Sequence, residues 1–154
     1  MTRLKEADID PIRGQLAAYD ARLRRVTGSS LRQIACRAAG VDEAMILDVL
    51  DRVRISAVPI SSGLGVIGGF SGTVAAIVSH LGFRSFVTES CDVAGIAEGL
   101  ERGADILMLS DDERFVAITP GRKHVVDNSR ATAQGFVAAL ELMRGGLAGE
   151  SVLV

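Results

Sequence analysis

The chain has 154 residues, 48% of them apolar and 23% charged, with no tryptophan and a formal net charge of −2. That length allows one well-buried domain and excludes two large ones, and the mild acidity exerts no global pull toward nucleic acid or an anionic membrane. Seventeen glycines against three prolines suit tight turns between packed elements. Two cysteines, Cys36 and Cys91, are too few for a disulfide framework. Each reads as a small apolar side chain near a helix, with a reactive thiol as the alternative. The opening MTRLKEADID lacks the apolar core of a secretory signal. No apolar run approaches the ~20 residues of a membrane span. The expectation is a soluble, cytoplasmic protein with neither a membrane nor a nucleic-acid partner.

Residues 1–53 read as helical. Ile9, Ile12, Leu16, Tyr19 and Leu23 recur at three- and four-residue steps, with Pro11 tolerable in a first turn. A second helix is expected from Ser30 to Ala39 and a third from Asp42 to Val53, with Gly40 between them.

Residues 54–146 read as an α/β layer. RISAVPI (54–60) is a buried strand, followed by a helix that Ser71 is placed to cap and that turns Val74, Ile77, Val78 and Leu81 inward. RSFVTE (84–89) is a second strand, and the next helix is expected to bury Val93, Ile96, Ala97 and Leu100. ADILMLS (104–110) is a third strand. RFVAI (114–118) and HVVDN (124–128), joined through Pro120-Gly121, form a hairpin. A long helix from Ser129 to Arg144 then turns Phe136, Val137, Leu140 and Met143 inward and ends at Gly145-Gly146. The fold class is therefore α/β: a helical N-terminal segment, then a layered, mainly parallel βαβ sheet with a hairpin.

Ligands of such sheets bind beyond the carboxyl ends of the strands. Three places lie there: the Ser61–Phe70 turn, the Glu89–Asp92 turn, and Ser110-Asp111-Asp112. The first contains Gly63-x-Gly65-x-x-Gly68, the spacing of a dinucleotide loop, and Glu89 follows Gly68 by 21 residues, where a ribose-binding acid belongs. Against a pyrophosphate there, Ser61-Ser62 lengthens the passage and Phe70 stands at the helix entrance. A structural turn and a turn for another ligand both stay open. Asp111 and Asp112 are either a solvated turn or carboxylates for a substrate ammonium or a proton, with a pKa set by partial burial. A divalent metal finds no third acid or histidine at ligand-like spacing nearby. Asn128 either caps the last helix or points its amide into the same rim. His80 and His124 have no partner motif. Residues 30–53 also fit the outline of a helix-turn-helix, but Asp42, Glu43, Asp48 and Asp51 would repel a DNA backbone.

Several segments occur together and in order: RRVTG (24–28), VPISSGLGVIGGFS (58–71), HLGFRSFVTESCDVAG (80–95), ERGADILMLSDDERFVA (101–117) and DN (127–128). As a set they resemble PylD, the family of pyrrolysine-biosynthesis dehydrogenases. The resemblance implies a two-part NAD-dependent enzyme with an N-terminal substrate domain and a C-terminal Rossmann domain. It assigns the glycine turn to the substrate site and no cofactor-binding or metal-binding residue to this chain. Leu4, on a mobile first helix, would cover the substrate, with Lys5 beside it. Ser61, Ser62 and Gly63 would shape the cavity with Phe70. Asp111, as the catalytic candidate, and Asn128 would be polar anchors. Leu64 replaces a polar Asn expected in the family. LAGESVLV (147–154) reads as a turn and the opening of the strand that leads into the Rossmann glycines. The chain thus reads as a substrate domain ending where the cofactor domain opens, and is expected to be inactive alone.

The reaction implied is oxidation of the terminal amine carbon of 3-methylornithyl-Nε-lysine. Hydride passes to NAD, the imine loses ammonia, and the other amine closes the pyrroline ring. The implied partners are an amino-acid-derived substrate and a Rossmann domain, in cis or as a separate chain; a homodimer stays open. The alternatives are the substrate domain of another amino-acid dehydrogenase and a DNA-binding module.

Overall fold

A computed structural model describes residues 6–63, 67–149 and 151. The helical segment contains α1 (Glu6–Thr27), α2 (Leu31–Ala39) and α3 (Glu43–Leu47). Then follow β1 (Arg54–Pro59), α4 (Phe70–His80), β2 (Arg84–Val87), α5 (Asp92–Glu101) and β3 (Ile106–Ser110). β4 (Phe115–Thr119), a 3-10 turn at Pro120–Arg122, β5 (His124–Asp127) and α6 (Asn128–Arg144) complete the order. The class is α/β as expected. The sheet order is β2-β1-β3-β4-β5. β1 pairs in parallel with β2 and β3, while β3–β4 and β4–β5 are antiparallel.

β1 is buried over Ile55–Val58, and the period-two alternation of a strand sends its side chains to two different cores. Ala57 joins Val74 and Ala75 of α4, with Phe70, Val87, Met108 and Phe115 around them. Val58 joins Ala104 and Leu107, with Phe86, Ile96 and Leu109. α4 therefore covers one face and α5 the other. α1 lies against α4, and α6 packs on α2 and reaches α1, β4 and β5.

Expectations fail on α1, α3, α5 and α6, each for a physical reason. In α1, Ile9 and Leu16 are buried but Tyr19 is 53% exposed. Asp20 takes the inward position instead, accepting the Leu31 amide (2.6 Å) and facing His80 Nε2 at 3.4 Å. Pro11 falls in the second turn from Glu6, not the first. The third helix stops at Leu47: the Val49 and Arg52 amides bond three residues back, to Ile46 and Val49 (3.0 Å each). No α3 residue is buried, so no packed face offsets the entropy of extending it. Five residues also make no recognition helix of the helix-turn-helix pattern.

The other two failures concern helix faces. On α5, Ile96 packs on the core as expected, but Gly95 and Gly99 are the buried residues, while Val93 is 80% exposed and Ala97 and Leu100 are also exposed. On α6, the inward stripe is Ala131, Gly135, Ala138 and Leu142, and Phe136, Val137, Leu140 and Met143 are exposed. Gly95 and Gly99 let α5 approach its neighbours closely. The Arg37–Glu141 ion pair (2.9 Å) holds α6 against α2 in this rotation. Of the cysteines, Cys36 is buried, where loss of solvation raises its thiol pKa, and Cys91 is exposed.

The glycine approach is testable. A Cβ on Gly95 would collide with the Ser90 carbonyl oxygen and lie 2.7 Å from Val58 Cγ1. Alanine gains ~1 kcal/mol of helix propensity, and overpacking costs up to ~3 kcal/mol. Gly95→Ala should therefore lower unfolding stability by about 2 kcal/mol, read as a lower urea midpoint at unchanged slope.

Candidate functional site

The register of the parallel strands gathers the loops. Pro59 lies opposite Ser110 and Ala57 opposite Val87, so the chain leaves β1, β2 and β3 at one edge. β5 runs the same way as β3, which brings Asp127 and Asn128 to that edge two strands from β3. A small cavity opens there, lined by Ile60, Ile67, Phe70, Ser71, Ser110, Asp111 and Asp112. Phe70 is the first residue of α4 and meets Phe115 edge-on, with ring centroids 5.7 Å apart. Ser71 does not cap α4. Gly69, at φ +75°, is the capping residue and makes no side-chain cap bond. The left-handed turn at Gly69 moves the helix start back to Phe70, so Ser71 lies inside the helix.

The Ser61–Gly63 loop has a carboxylate at each end. Its start is tied to Asp92: Ser61 donates its amide (2.8 Å) and its hydroxyl (2.5 Å) to the two carboxylate oxygens. Those two bonds, the hydroxyl first, hold the Asp92 carboxyl below its usual range. Gly63 has φ +71°, and a Cβ there would collide with Asp112 Oδ2. Ser62, between them, is exposed.

Carboxylates also border the second half of the glycine turn. A Cβ on Gly68 would collide with Glu6 Oε1, and one on Gly69 would lie 3.6 Å from Asp10 Oδ1. Arg13 reaches the same place, where the Gly69 carbonyl (2.7 Å) and the Thr73 hydroxyl (3.1 Å) engage its guanidinium. Glu6, Asp10 and Asp112 thus border the described part of the glycine turn, with Arg13 as the cation among them. The carboxylates would oppose a pyrophosphate there.

Asp111 is exposed, not half-buried as the sequence suggested. Its Oδ1 accepts the Arg114 amide (2.7 Å) and the Glu113 amide (2.8 Å) in a local turn. Those bonds, Arg114 first, hold its pKa below the usual carboxylate value. Asn128 is exposed and is not the cap of α6; Asp127 is, accepting the Ser129 amide at 2.9 Å and facing Arg114 at 3.3 Å. Leu4, Lys5 and Leu64 lie outside the described residues, as does most of the expected terminal strand. Among the described residues no group of three His, Cys, Asp or Glu side chains could hold a metal ion, and no helix is long and apolar enough to cross a membrane.

The structure therefore brings Ser61, Ser62, Gly63, Phe70 and Asp111 to one edge, with Asn128 farther along it. The sequence did not reveal Asp92, Glu6 and Arg13 as their neighbours. Asp92 did carry a signal, as the end of the Glu89–Asp92 turn. Glu6 and Arg13 carried none, because their partners lie more than fifty residues away in the chain.

Glu98 fixes that same turn. It accepts the Ser90 (2.9 Å) and Glu89 (3.0 Å) amides and pairs with Arg102 (2.7 Å), and these bonds, Ser90 first, lower its pKa to about 2. A depressed carboxyl contributes stability that is present above its unfolded value and lost as pH falls through the folded one. The melting temperature should therefore fall as pH drops from 4.5 toward about 2, and Glu98→Gln should flatten that fall in a thermal-melt series.

Known proteins are similar to this chain in sequence. The family described as "Pyrrolysine biosynthesis protein PylD, N-terminal domain" matches residues 8–126. A protein named pyrrolysine synthase from Methanosarcina acetivorans is 33% identical over 132 residues, covering 86% of this chain and 48% of its own length. Another of that name, from Methanosarcina barkeri, is 34% identical over 117 residues, covering 76% and 42%. The chain spans about half the length of these relatives. The matched region runs from α1 through β5 and takes in the whole strand edge up to Val126, and on that ground the chain belongs to the PylD family, to its N-terminal domain.

Proposed function

We propose that this chain forms the substrate-binding half of an NAD-dependent dehydrogenase that oxidises the terminal amine carbon of 3-methylornithyl-Nε-lysine in pyrrolysine biosynthesis. The observation that carries the reading is the carboxylate-bordered glycine turn at the strand edge, in a chain of the PylD family. Negative charge around exposed backbone suits a ligand with ammonium groups and opposes a phosphate-bearing one.

In this reading Asp111 anchors an ammonium of the substrate. The Arg114 and Glu113 amides favour its charged form, which suits anchoring. Ser62 offers its hydroxyl, Gly63 its backbone and Ser61 its carbonyl oxygen to the amino-acid portion. Phe70, braced by Phe115, walls the cavity on its apolar side. Leu4 and Lys5 are proposed at the lid and Asn128 as a second anchor. NAD, whose chemistry is acceptance of a hydride, is assigned to a Rossmann-type partner domain and not to this turn.

Calorimetric titration tests the reading. The dipeptide 3-methylornithyl-Nε-lysine should bind this chain saturably, and NAD should not. Asp111→Asn keeps Oδ1 for the Glu113 and Arg114 amides but removes the charge. It should leave the melting temperature unchanged and weaken dipeptide binding at least about tenfold. NAD binding that Gly68→Ala abolishes would overturn the assignment.

A further inference from the structure

Asp92 is the first residue of α5, one past the capping position held by Cys91, where a carboxylate ordinarily faces the positive end of its own helix. Here α5 has no side-chain cap bond. The Asp92 carboxylate instead reaches 31 residues back in the chain, with one oxygen on the Ser61 amide and the other on its hydroxyl. Its backbone sits at φ 55°, one of two left-handed non-glycine positions among the described residues, a conformation in which a side chain is strained. Strain of this kind persists only where the surroundings over-determine it.

They do so here. Gly95 donates to the Cys91 carbonyl (3.0 Å), the Thr88 hydroxyl donates to the Ser90 carbonyl (2.9 Å), and the Thr88 amide bonds Ala57 of β1 (3.2 Å). Glu98 holds the Glu89 and Ser90 amides from the far side. The turn before α5 is thus a fixed mount, and its free end is directed at the loop leaving β1.

We propose that Asp92 is a positioning residue for the substrate loop: it sets the direction in which Ser61, Ser62 and Gly63 meet the amino-acid portion of the ligand. This rests on the substrate reading above. Asp92 touches no substrate in this account and acts through Ser61.

The test compares wild type, Asp92→Gly and Asp92→Asn by hydrogen exchange, thermal melting and dipeptide titration. Glycine relieves the left-handed strain while removing the carboxylate, so the melting temperature should stay within a few degrees of wild type. Exchange at the Ser61 amide should accelerate, and dipeptide affinity should fall about tenfold. Asn, which keeps one acceptor oxygen, should fall between. A residue that served stability alone would leave affinity unchanged whenever melting is unchanged. Asp92→Gly that binds the dipeptide as tightly as wild type overturns the proposal. Wild type that binds no dipeptide overturns the substrate reading and this role with it. In that case faster Ser61 exchange in Asp92→Gly would still show the tether, which separates the two failures.

Discussion

The parallel placement of β1 between β2 and β3 is the constraint on which the rest of the molecule depends. A parallel ladder sends all three chains out at the same edge, and the pairing of Pro59 with Ser110 sets two of the exits side by side. Asp112 can lie over Gly63 and Asp92 can hold Ser61 only because of that register. The same ladder buries β1 on both faces, which obliges the chain to place α4 on one side and α5 on the other.

How close those helices come is decided by small residues. Two glycines in α5 cost ~2 kcal/mol of helix propensity, and burying Val58 and Leu107 beneath them returns ~3–6 kcal/mol. Burial wins, and Val93 and Leu100 are left in solvent. α6 likewise turns Ala131, Gly135 and Ala138 inward with Leu142, and Phe136, Val137, Leu140 and Met143 stay outside. Electrostatics at the strand edge has a similar origin. Glu6 and Asp10 come from α1 and Asp112 from the loop after β3, and α1 is held over the α4 entrance by Arg13. An acidic border around glycines, with Arg13 beside it, is thus assembled from distant segments of the chain.

Much of the fold was legible in the sequence. β1, β2, β3 and the hairpin through Pro120-Gly121 appear where alternation and turn residues put them, within one or two residues. The grouping of the Ser61, Asp92 and Asp111 loops followed from the βαβ order alone. The apolar faces of α5 and α6 were misread because periodicity marks the largest apolar stripe, whereas contact selected the smallest side chains. Asp20 replaced Tyr19 on the inward face of α1 because the Leu31 amide and His80 gave a half-buried carboxylate its partners. Gly69 displaced Ser71 as the α4 cap because backbone conformation, not side-chain hydrogen bonding, sets that start.

By itself the sequence determined which segments form strands and helices, the α/β class, and the loops that emerge at the functional edge, because hydrophobic period and turn chemistry are local. It also carried the ordered motifs of the PylD family. Only the tertiary structure decided which face each helix buries, which carboxylates surround the glycine turn, and that Asp92 serves Ser61 and not its own helix. Those outcomes depend on distances between residues far apart in the chain, where close packing and charge act through space.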